Sequence, residues 1–461
     1  MKYLSIALPA LLAGLSLAET ARAQVSNPAI TSFLRNTTGV RGRHYVSGNA
    51  TPIQDTAQAN VQRVRYSATA AYVNCSGIPA YVIGPYLDRN PSLGTNRRNL
   101  FKLPLAPRPN TAVPRPVGMG NIGVLINGVP IYNYADGMSY QNQGVWHQNA
   151  VVFERGGFDC AKGHPSPVFL TAPGPGVTPV GGNYHHHQNP SAFNIATVPL
   201  STVCNIYLAD GLYVPDSTRH APLIGFAFDG YPIYGGYGYA NPSAVSAIKR
   251  MVPGFRKRLI TARTTLPNGT TASQPGPTLA AQPLGSYFED YELVSGLGDL
   301  DEHNGRFCVT PEYPQGTYAY FATFDRDGNS VFPYVLGTSY YGVVETSNFP
   351  VMGPGSPSTS VVIVEPVTTY SPVVSAATGA AGAAARITVY PSPTHEVLVV
   401  QSTLSAAVVQ PVELLDLTGR VVARQWLFPG STMCYFDTQA LHAGVYLVRV
   451  NGGSAVRVVV E

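Results

Sequence analysis

From Val64 to Phe349, short apolar runs alternate with turn-forming residues, and this pattern constrains the fold more than any other feature of the chain. Each run is rich in β-branched and aromatic residues, and a turn signal interrupts it after roughly ten residues. The chain contains 46 glycines and 40 prolines, and 12% of its residues are charged. No helical period extends beyond about two turns, and no internal repeat is apparent. The pattern predicts a mainly β protein with long, turn-rich loops.

Two dipeptides give the strongest local signals. Asn127-Gly128 follows the apolar residues 122–126, and Asp229-Gly230 follows residues 223–228. Both dipeptides favour the positive φ angles of a tight hairpin turn. We therefore predict a β-hairpin at each of the two positions.

The N-terminus has the features of a secretory signal peptide. A positively charged start precedes an apolar run over residues 4–17, and Ala21-Arg22-Ala23 is a small-x-small cleavage site. The run is shorter than the roughly 20 apolar residues that span a bilayer. No later stretch reaches about 18 uninterrupted apolar residues, so no transmembrane segment is predicted. We expect a signal peptide over residues 1–23 and a mature protein that begins at Gln24.

The C-terminal region, residues 386–461, is a series of short alternating strands separated by Pro, Gly and Asn. Its signatures are Tyr390-Pro391-Ser392-Pro393-Thr394, then residues 416–422, then residues 441–450. In this order they resemble the type A C-terminal sorting domain of type IX secretion. A generic immunoglobulin-like β-sandwich is the alternative. The resemblance implies a small β-sandwich of that kind, the type IX secretion machinery as partner, and export to the cell surface or the medium.

These features predict five segments along the chain. They are a signal peptide (1–23), a loosely structured lead-in (24–62), a large turn-rich β cargo domain (63–350), a flexible linker (351–385) and the sorting domain (386–461). The formal net charge of +4 is too small for a chain of 461 residues to favour a nucleic-acid partner.

The five cysteines are Cys75, Cys160, Cys204, Cys308 and Cys434. No two are close enough in sequence for a C-x-x-C metal or redox motif. Disulfide pairing is the default in an exported chain, so we expect at least one disulfide among the first four, with three connectivities open. Cys434 stands alone in the sorting domain and is expected to be a free, buried thiol.

Six of the ten histidines fall in three stretches that also concentrate glycine and carboxylate residues, at 145–165, 181–190 and 299–321. Alternate residues of a strand share a face, so His185 and His187 are expected on one side and His186 on the other. Two imidazoles about 7 Å apart along one face suit a single transition-metal ion.

Two further segments offer the remaining ligands of such a site. His164 is a candidate third ligand, presented by a turn that Gly163 and Pro165 fix, and Glu302 or His303 is a candidate fourth. Imidazole together with carboxylate favours zinc, copper or iron over calcium or magnesium. An open coordination position would make the site a hydrolytic or redox centre of a metal-dependent enzyme.

The same segments resemble the YHYH family of secreted proteins. Tyr184-His185-His186-His187 falls on the name-giving Tyr-His-Tyr-His, with His186 in place of the second Tyr. Three further elements match, namely Gly163-His164-Pro165, residues 223–235 and Asp301-Glu302-His303-Asn304-Gly305. The resemblance covers residues 120 to 342 and implies family membership without an established activity. Members often carry a second Tyr-His-Tyr-His late in the domain, where this chain has Tyr318-Ala319-Tyr320-Phe321.

Three interpretations of the histidines stay open at this stage. They are a metal centre, a hydrogen-bonded network stacked on tyrosines, and direct contact of the imidazoles with a ligand. Function accordingly falls into two classes. One is an exported metal-binding domain, with enzymatic activity left open. The other is a non-catalytic binding or adhesion module, whose 28 tyrosines present a surface to glycans or other surface polymers. No G-x-S-x-G, Ser-x-x-Lys or phosphate-binding glycine loop occurs, which disfavours the familiar serine hydrolases and nucleotide enzymes.

Overall fold

The computed structural model describes residues 26–86, 93–169, 171, 174, 176–177, 180–191, 211–349, 359–371, 387–402, 409–416, 420–428, 431–450 and 455–461. The chain divides into two compact units, Met1–Pro372 and Val373–Glu461, which we call the cargo domain and the sorting domain. The predicted signal peptide lies outside the described residues. Among the described helices, none has the length and apolar character needed to cross a membrane.

The described part of the cargo domain is built almost entirely from short strands. Its helices are α1 (Pro28–Thr31) and α2 (Ala150–Phe153), with 3-10 turns at Tyr140–Asn142, Arg155–Gly157, Phe288–Asp290 and Thr346–Asn348. Its strands are β1 (Arg41–Val46), β2 (Asn49–Gln58), β3 (Val61–Tyr66), β4 (Ala70–Cys75), β5 (Val82–Ile83), β6 (Asn99–Pro104), β7 (Asn121–Leu125), β8 (Pro130–Tyr132), β9 (Ala135–Ser139), β10 (His147–Asn149), β11 (Gly163–Val168), β12 (Gly181–His186), β13 (Leu223–Ala227), β14 (Pro232–Tyr234), β15 (Tyr237–Tyr239), β16 (Ile248–Arg250), β17 (Phe255–Lys257), β18 (Tyr291–Leu293), β19 (Gly305–Cys308), β20 (Thr317–Phe321) and β21 (Thr368–Thr369). The prediction of a mainly β protein is confirmed.

Much of the segment predicted as a loosely structured lead-in forms regular structure. It contains α1, β1, β2 and the start of β3, and β1 lies between β2 and β5 in a three-stranded sheet. The polar composition that suggested disorder belongs to β2, an edge strand whose side chains are mostly exposed. An exposed edge strand tolerates polar side chains on both faces, so composition alone did not reveal it.

Part of the predicted linker packs against the cargo domain. Strand β21 pairs with β3 at the edge of the sheet β21-β3-β4-β6. The Tyr72 hydroxyl donates a hydrogen bond to Glu365 Oε1 at 2.5 Å. Residues 350–358 and 372–386 of this region lie outside the described residues.

An eight-stranded sheet in the order β11-β12-β8-β7-β13-β14-β20-β19 forms the centre of the cargo domain. Both predicted hairpins lie in it, since Asn127-Gly128 connects β7 to β8 and Asp229-Gly230 connects β13 to β14. Gly128 and Gly230 have φ of 82° and 88°, the conformation for which glycine was expected. The buried side chains of this sheet include Val124, Ile131, Phe226 and Ile233, which form part of the main hydrophobic core.

The two halves of this sheet are equivalent, which corrects the expectation of no internal repeat. Read outward from the centre, β7-β8-β12-β11 and β13-β14-β20-β19 show the same succession of antiparallel, parallel and antiparallel pairings. Residues 122–132 and 224–234 share Ile, Gly, Gly, Pro, Ile and Tyr at matching positions. Strands β7 and β13 pair symmetrically about Val124 and Phe226. The repeat is not apparent in the sequence, because the matching residues are confined to short strands and the segments between these strands differ in length.

In the first half, the side chain of Asp159 organises the turn into β11. Its Oδ1 accepts the backbone N–H of Gly163 at 3.0 Å, and its Oδ2 accepts the hydroxyl of Tyr184 at 2.8 Å. Lys162 has a φ of 64° within this turn, and its N–H donates to the carbonyl of Asp159 at 2.9 Å. The turn is therefore tied to β12 through a buried carboxylate.

In the second half, Asp301 organises the turn into β19 in the same way. Its Oδ1 accepts the backbone N–H of Gly305 at 3.2 Å and the hydroxyl of Tyr318 at 2.8 Å. Asn304 has a φ of 65°, and its N–H donates to the carbonyl of Asp301 at 3.0 Å. The two turns thus match in conformation and in hydrogen bonding, as well as in topology.

The sorting domain is a sandwich of two antiparallel sheets, as predicted. The sheets are β22-β23-β26 and β25-β24-β27-β28, formed by β22 (Ile387–Tyr390), β23 (Val397–Ser402), β24 (Gln410–Leu415), β25 (Val421–Leu427), β26 (Met433–Asp437), β27 (Gly444–Val450) and β28 (Val456–Val460). Its core includes Leu398, Val412, Phe436 and Val458, all fully buried or nearly so. The hydroxyl of Tyr446 donates to the carbonyl of His442 at 2.9 Å, a corner contact typical of immunoglobulin-like sandwiches.

The cysteines of the described residues are mostly free thiols. Cys75, Cys308 and Cys434 are free and buried, which confirms the expectation for Cys434. Cys160 is not among the free thiols, and Cys204 lies outside the described residues. If the cargo domain holds a disulfide, Cys160 and Cys204 are its remaining candidates.

We predict that Cys160 and Cys204 form one disulfide, which closes a loop and stabilises the cargo domain by about 2–4 kcal/mol. Mass spectrometry of non-reduced, alkylated peptides should find these two residues joined and Cys75 alkylated. The Cys75→Ser variant is the control and should leave the crosslink intact. Detection of a free thiol at Cys160 in the exported protein would contradict the prediction.

Candidate metal centre

The antiparallel pairing of β11 with β12 places two of the predicted ligands opposite each other. His164 is the register partner of His185, and their ring centroids lie 4.6 Å apart. Gly163-His164-Pro165 therefore begins a strand, whereas the sequence suggested that a turn presents His164. Proline is tolerated in β11 because this strand lies at the edge of the sheet, where a missing N–H breaks no ladder hydrogen bond.

His187 follows β12 directly and turns its ring towards the same point. Its Nε2 lies 3.0 Å from Nε2 of His185, and the two rings meet edge to face with centroids 4.8 Å apart. The alternation predicted from the sequence thus brings His185 and His187 together on one side of the strand.

Glu154 is the fourth member of the cluster and was not predicted. It follows α2, a single turn whose N-terminus is capped by the side chain of Asn149. Its Oε2 lies 3.1 Å from His164 Nε2 and 3.0 Å from His187 Nε2. Glu154 lies within the first site-bearing stretch of the sequence, but no motif contains it. Only the fold of the chain after the short helix α2 makes it a neighbour of the histidines.

One potential ligand atom from each of Glu154, His164, His185 and His187 lies within 4.8 Å of the other three. Tetrahedral ligands at metal distances of 2.0–2.1 Å are about 3.3 Å apart. The three short contacts in the cluster, at 3.0, 3.0 and 3.1 Å, are close to that value. Three of the six pairs in the cluster thus have the spacing of ligands on one metal ion, and the other three pairs lie within 4.8 Å.

The hydrogen bonds of two rings fix which nitrogen faces the cluster. His185 Nδ1 donates to the carbonyl of Asn183 at 2.9 Å, and His187 Nδ1 donates to the carbonyl of Asn133. A backbone carbonyl only accepts, so both Nδ1 atoms carry a proton. In the neutral rings both Nε2 atoms then carry lone pairs, and these two lone pairs lie 3.0 Å apart. Two facing lone pairs repel each other, and either a proton or a metal ion between the two nitrogens removes that repulsion.

His164 is the member with the fewest hydrogen bonds. Within the described part of the chain, neither of its ring nitrogens has a hydrogen-bond partner, although both are buried. Its 3.1 Å approach to Glu154 Oε2 has the distance of an ion pair without the angles of a hydrogen bond. A buried polar group without a hydrogen bond is costly, and a metal ligand is one of the roles that explain it.

Aromatic rings enclose the cluster. Tyr132 stacks on His185 with centroids 3.7 Å apart, and Phe158 packs edge to face on His164 at 4.8 Å. His185 and His187 are 2% and 3% exposed, so solvent does not compete for their nitrogens. Glu154 is the most accessible member, with 27% of its side chain exposed.

Burial and neighbouring charges shift the pKa values of His185 and Glu154 towards the protonation states that bind a metal cation. Burial, with the nearby charges of His164 and His187, holds the pKa of His185 well below its usual value, so this imidazole is neutral near pH 7. Burial alone would raise the pKa of Glu154. The contacts and charges of His164 and His187 outweigh burial and hold the pKa of that carboxyl below its usual range, so it is ionised. Neutral imidazole and ionised carboxylate are the forms that bind metal.

His186 lies on the other face of β12. Its Nε2 contacts the hydroxyl of Tyr81 at 2.6 Å, and its ring packs edge to face against Tyr184. Burial lowers the pKa of His186 to about 3. This residue belongs to the packing around β12 and provides a control for the three histidines that converge.

The structure does not bring Glu302 and His303 to the cluster. Both follow Asp301 in the turn before β19, in the second half of the sheet. His303 Nδ1 donates to the carbonyl of Ser339 at 2.9 Å, and its Nε2 is 3.7 Å from Glu302 Oε1. The expectation rested on a sequence motif, and the two equivalent turns of the sheet explain why that motif resembled part of a site.

A cavity of about 580 Å³ is lined by residues that flank the cluster, and by none of its four members. Phe158, which packs on His164, and Gln188, which follows His187, form part of its wall. Arg155, Arg256 and Lys257 also line it, which gives this wall a basic character.

Comparison with known families identifies both domains. The family model described as YHYH protein matches residues 100–331, which is half of the chain. The model for the secretion system C-terminal sorting domain matches residues 388–461. A comparison with curated protein sequences found no match. A type IX sorting domain directs its cargo to secretion or to attachment at the cell surface. The chain belongs to the YHYH protein family and ends in a type IX C-terminal sorting domain.

Proposed function

We propose that the cargo domain is an exported metal-binding domain that holds one transition-metal ion through Glu154, His164, His185 and His187. The observation that carries the proposal is the convergence of four ligand atoms within 4.8 Å in a buried site. Three imidazoles and one carboxylate favour zinc, copper or iron over calcium or magnesium, which prefer oxygen ligands. Glu154 replaces the pair Glu302 and His303 of the original expectation.

A metal-free hydrogen-bonded network explains the cluster less completely. One proton on His187 would bridge to His185 and Glu154, which lie 3.0 Å away on either side. It would leave Nδ1 of His164 buried without a hydrogen bond among the described residues, and Nε2 with the 3.1 Å contact to Glu154 Oε2 as its polar neighbour. A metal ion accepts one lone pair from each of the four side chains at once.

The alternative function, adhesion through a tyrosine-rich surface, requires exposed tyrosines in the cargo domain. Of the 28 tyrosines, the described ones in the cargo domain are buried or half-buried, and none is exposed. The exposed tyrosines of the described residues are Tyr390 and Tyr435, both in the sorting domain. Tyrosine here fills the core, and tyrosine hydroxyls donate hydrogen bonds to the buried carboxylates of Asp159 and Asp229 and to the half-buried Asp301.

We predict that His185→Ala and His187→Ala each abolish stoichiometric metal binding, whereas His186→Ala retains one ion per folded chain. The first two substitutions remove a ligand, and the third removes a side chain on the opposite face of β12. Metal content should be measured by mass spectrometry of the purified mature protein, with circular dichroism to check folding. Equal loss of metal at all three positions would indicate loose binding by a histidine-rich segment.

The role of Glu154 has a test of its own. Glu154→Gln removes the ionised oxygen and should lower metal affinity about tenfold or more, whereas the matched Glu302→Gln should leave it unchanged. Calorimetric titration of Zn²⁺ into the metal-free protein measures both. The assignment of Glu154 would be wrong if the two variants bound Zn²⁺ alike.

Translocation across the outer membrane is expected to depend on the C-terminal domain. Deletion of residues 386–461 should leave folded cargo in the periplasm, because the type IX machinery recognises the sorting domain. Fractionation of cells that express the full-length or the truncated protein measures this, and metal content of the periplasmic form should be unchanged. Truncated protein on the cell surface or in the medium would refute the expectation.

A further inference from the structure

The two equivalent halves of the central sheet differ at the position of the candidate metal centre. His164 pairs with His185 across β11 and β12, and Arg306 pairs with Ala319 across β19 and β20. Gly163 pairs with His186 in the first half, and Gly305 pairs with Tyr320 in the second, so the two registers are the same. Arg306, Ala319 and Phe321 therefore stand where the first half has His164, His185 and His187.

Ring distances agree with this equivalence. His187 lies 5.9 Å from Tyr132, and Phe321 lies 6.0 Å from Tyr234, the residue equivalent to Tyr132. The centroids of His164 and His187 are 5.5 Å apart, and the guanidinium carbon of Arg306 is 5.8 Å from the centroid of Phe321. Phe321 thus lies as far from Tyr234 as His187 lies from Tyr132, although the two ring planes meet at 32° in the second half and at 84° in the first.

We propose that Arg306, Ala319 and Phe321 keep this second position from binding a metal ion, and that R306H, A319H and F321H together open it. The proposal rests on metal binding by the first half. Arg306 puts a permanent positive charge where the first half has a ligand, and a divalent cation is repelled there. Phe321 and Ala319 offer no lone pair. The protein accordingly holds one ion per chain, although its sheet presents two equivalent positions.

His220 supplies the donor that the second half otherwise lacks. It arrives from the segment before β13, and its ring lies 5.0 Å from Tyr234 and 6.2 Å from Phe321. Its Nδ1 donates to the carbonyl of Ala221 at 2.8 Å, so its Nε2 carries the lone pair, as in His185. That Nε2 is buried and has no hydrogen-bond partner among the described residues. Three introduced histidines with His220 provide four donors, as Glu154 and three histidines do in the first half.

Zn²⁺ stoichiometry in four proteins tests the proposal. The wild type should bind one ion and the H185A/H187A variant none. The R306H/A319H/F321H variant should bind two, and the same three substitutions added to H185A/H187A should restore one. Thermal denaturation with and without Zn²⁺ reports folding. A folded five-substitution variant that binds no Zn²⁺ would overturn the proposal.

Two further measurements test the proposal if the five-substitution variant does not fold. The A319H/F321H variant retains Arg306 and should still bind one ion, so a second ion would contradict the role given to the guanidinium. A wild type that binds two ions, one of which survives in H185A/H187A, would show that the second position is already open. A wild type that binds none would overturn the proposed function, while the five-substitution variant still reports on the second half by itself.

Discussion

The antiparallel pairing of β11 with β12 is the contact on which the candidate metal centre depends. It sets His164 opposite His185, and the residue after the strand, His187, completes the group of three imidazoles. Asp159 holds this pair of strands together, because its buried carboxylate accepts hydrogen bonds from the turn into β11 and from Tyr184 of β12. A shift of one residue in the register would turn the histidines to opposite faces and destroy the site.

The same arrangement of strands and turns occurs twice in the central sheet. Features that both halves share belong to the fold, and features found in one half belong to the candidate site. The carboxylate-bound turn, the glycine that follows it and the tyrosine that contacts it are present in both halves. These features are therefore structural. The histidines are present in the first half alone, where they are buried and where a short helix adds a carboxylate. In the second half, a guanidinium and a phenyl ring fill the equivalent space. The same arrangement of strands forms in the second half without these histidines, so the fold alone does not require them.

Much of the fold could be predicted from the sequence, because short strands and glycine turns leave local signals. Asn127-Gly128 and Asp229-Gly230 identified the central hairpins, and the alternation in residues 185–187 separated His186 from its neighbours. Other features depend on long-range contacts. Glu154 lies in a one-turn helix with no motif, and only the folded chain brings its carboxylate to the histidines. Glu302 and His303 matched a family motif that marks an equivalent turn, and the polar lead-in became an exposed edge strand.

A crystal of the mature protein, purified without chelators or added metal and measured across the absorption edges of the first-row metals, tests the central claim most directly. We expect one anomalous peak per chain, within bonding distance of Nε2 of His185, Nε2 of His187, His164 and the carboxylate of Glu154. We expect no peak between Arg306 and Phe321. A cluster that contains only a proton or a water molecule, with no anomalous signal after soaking in Zn²⁺, would contradict it.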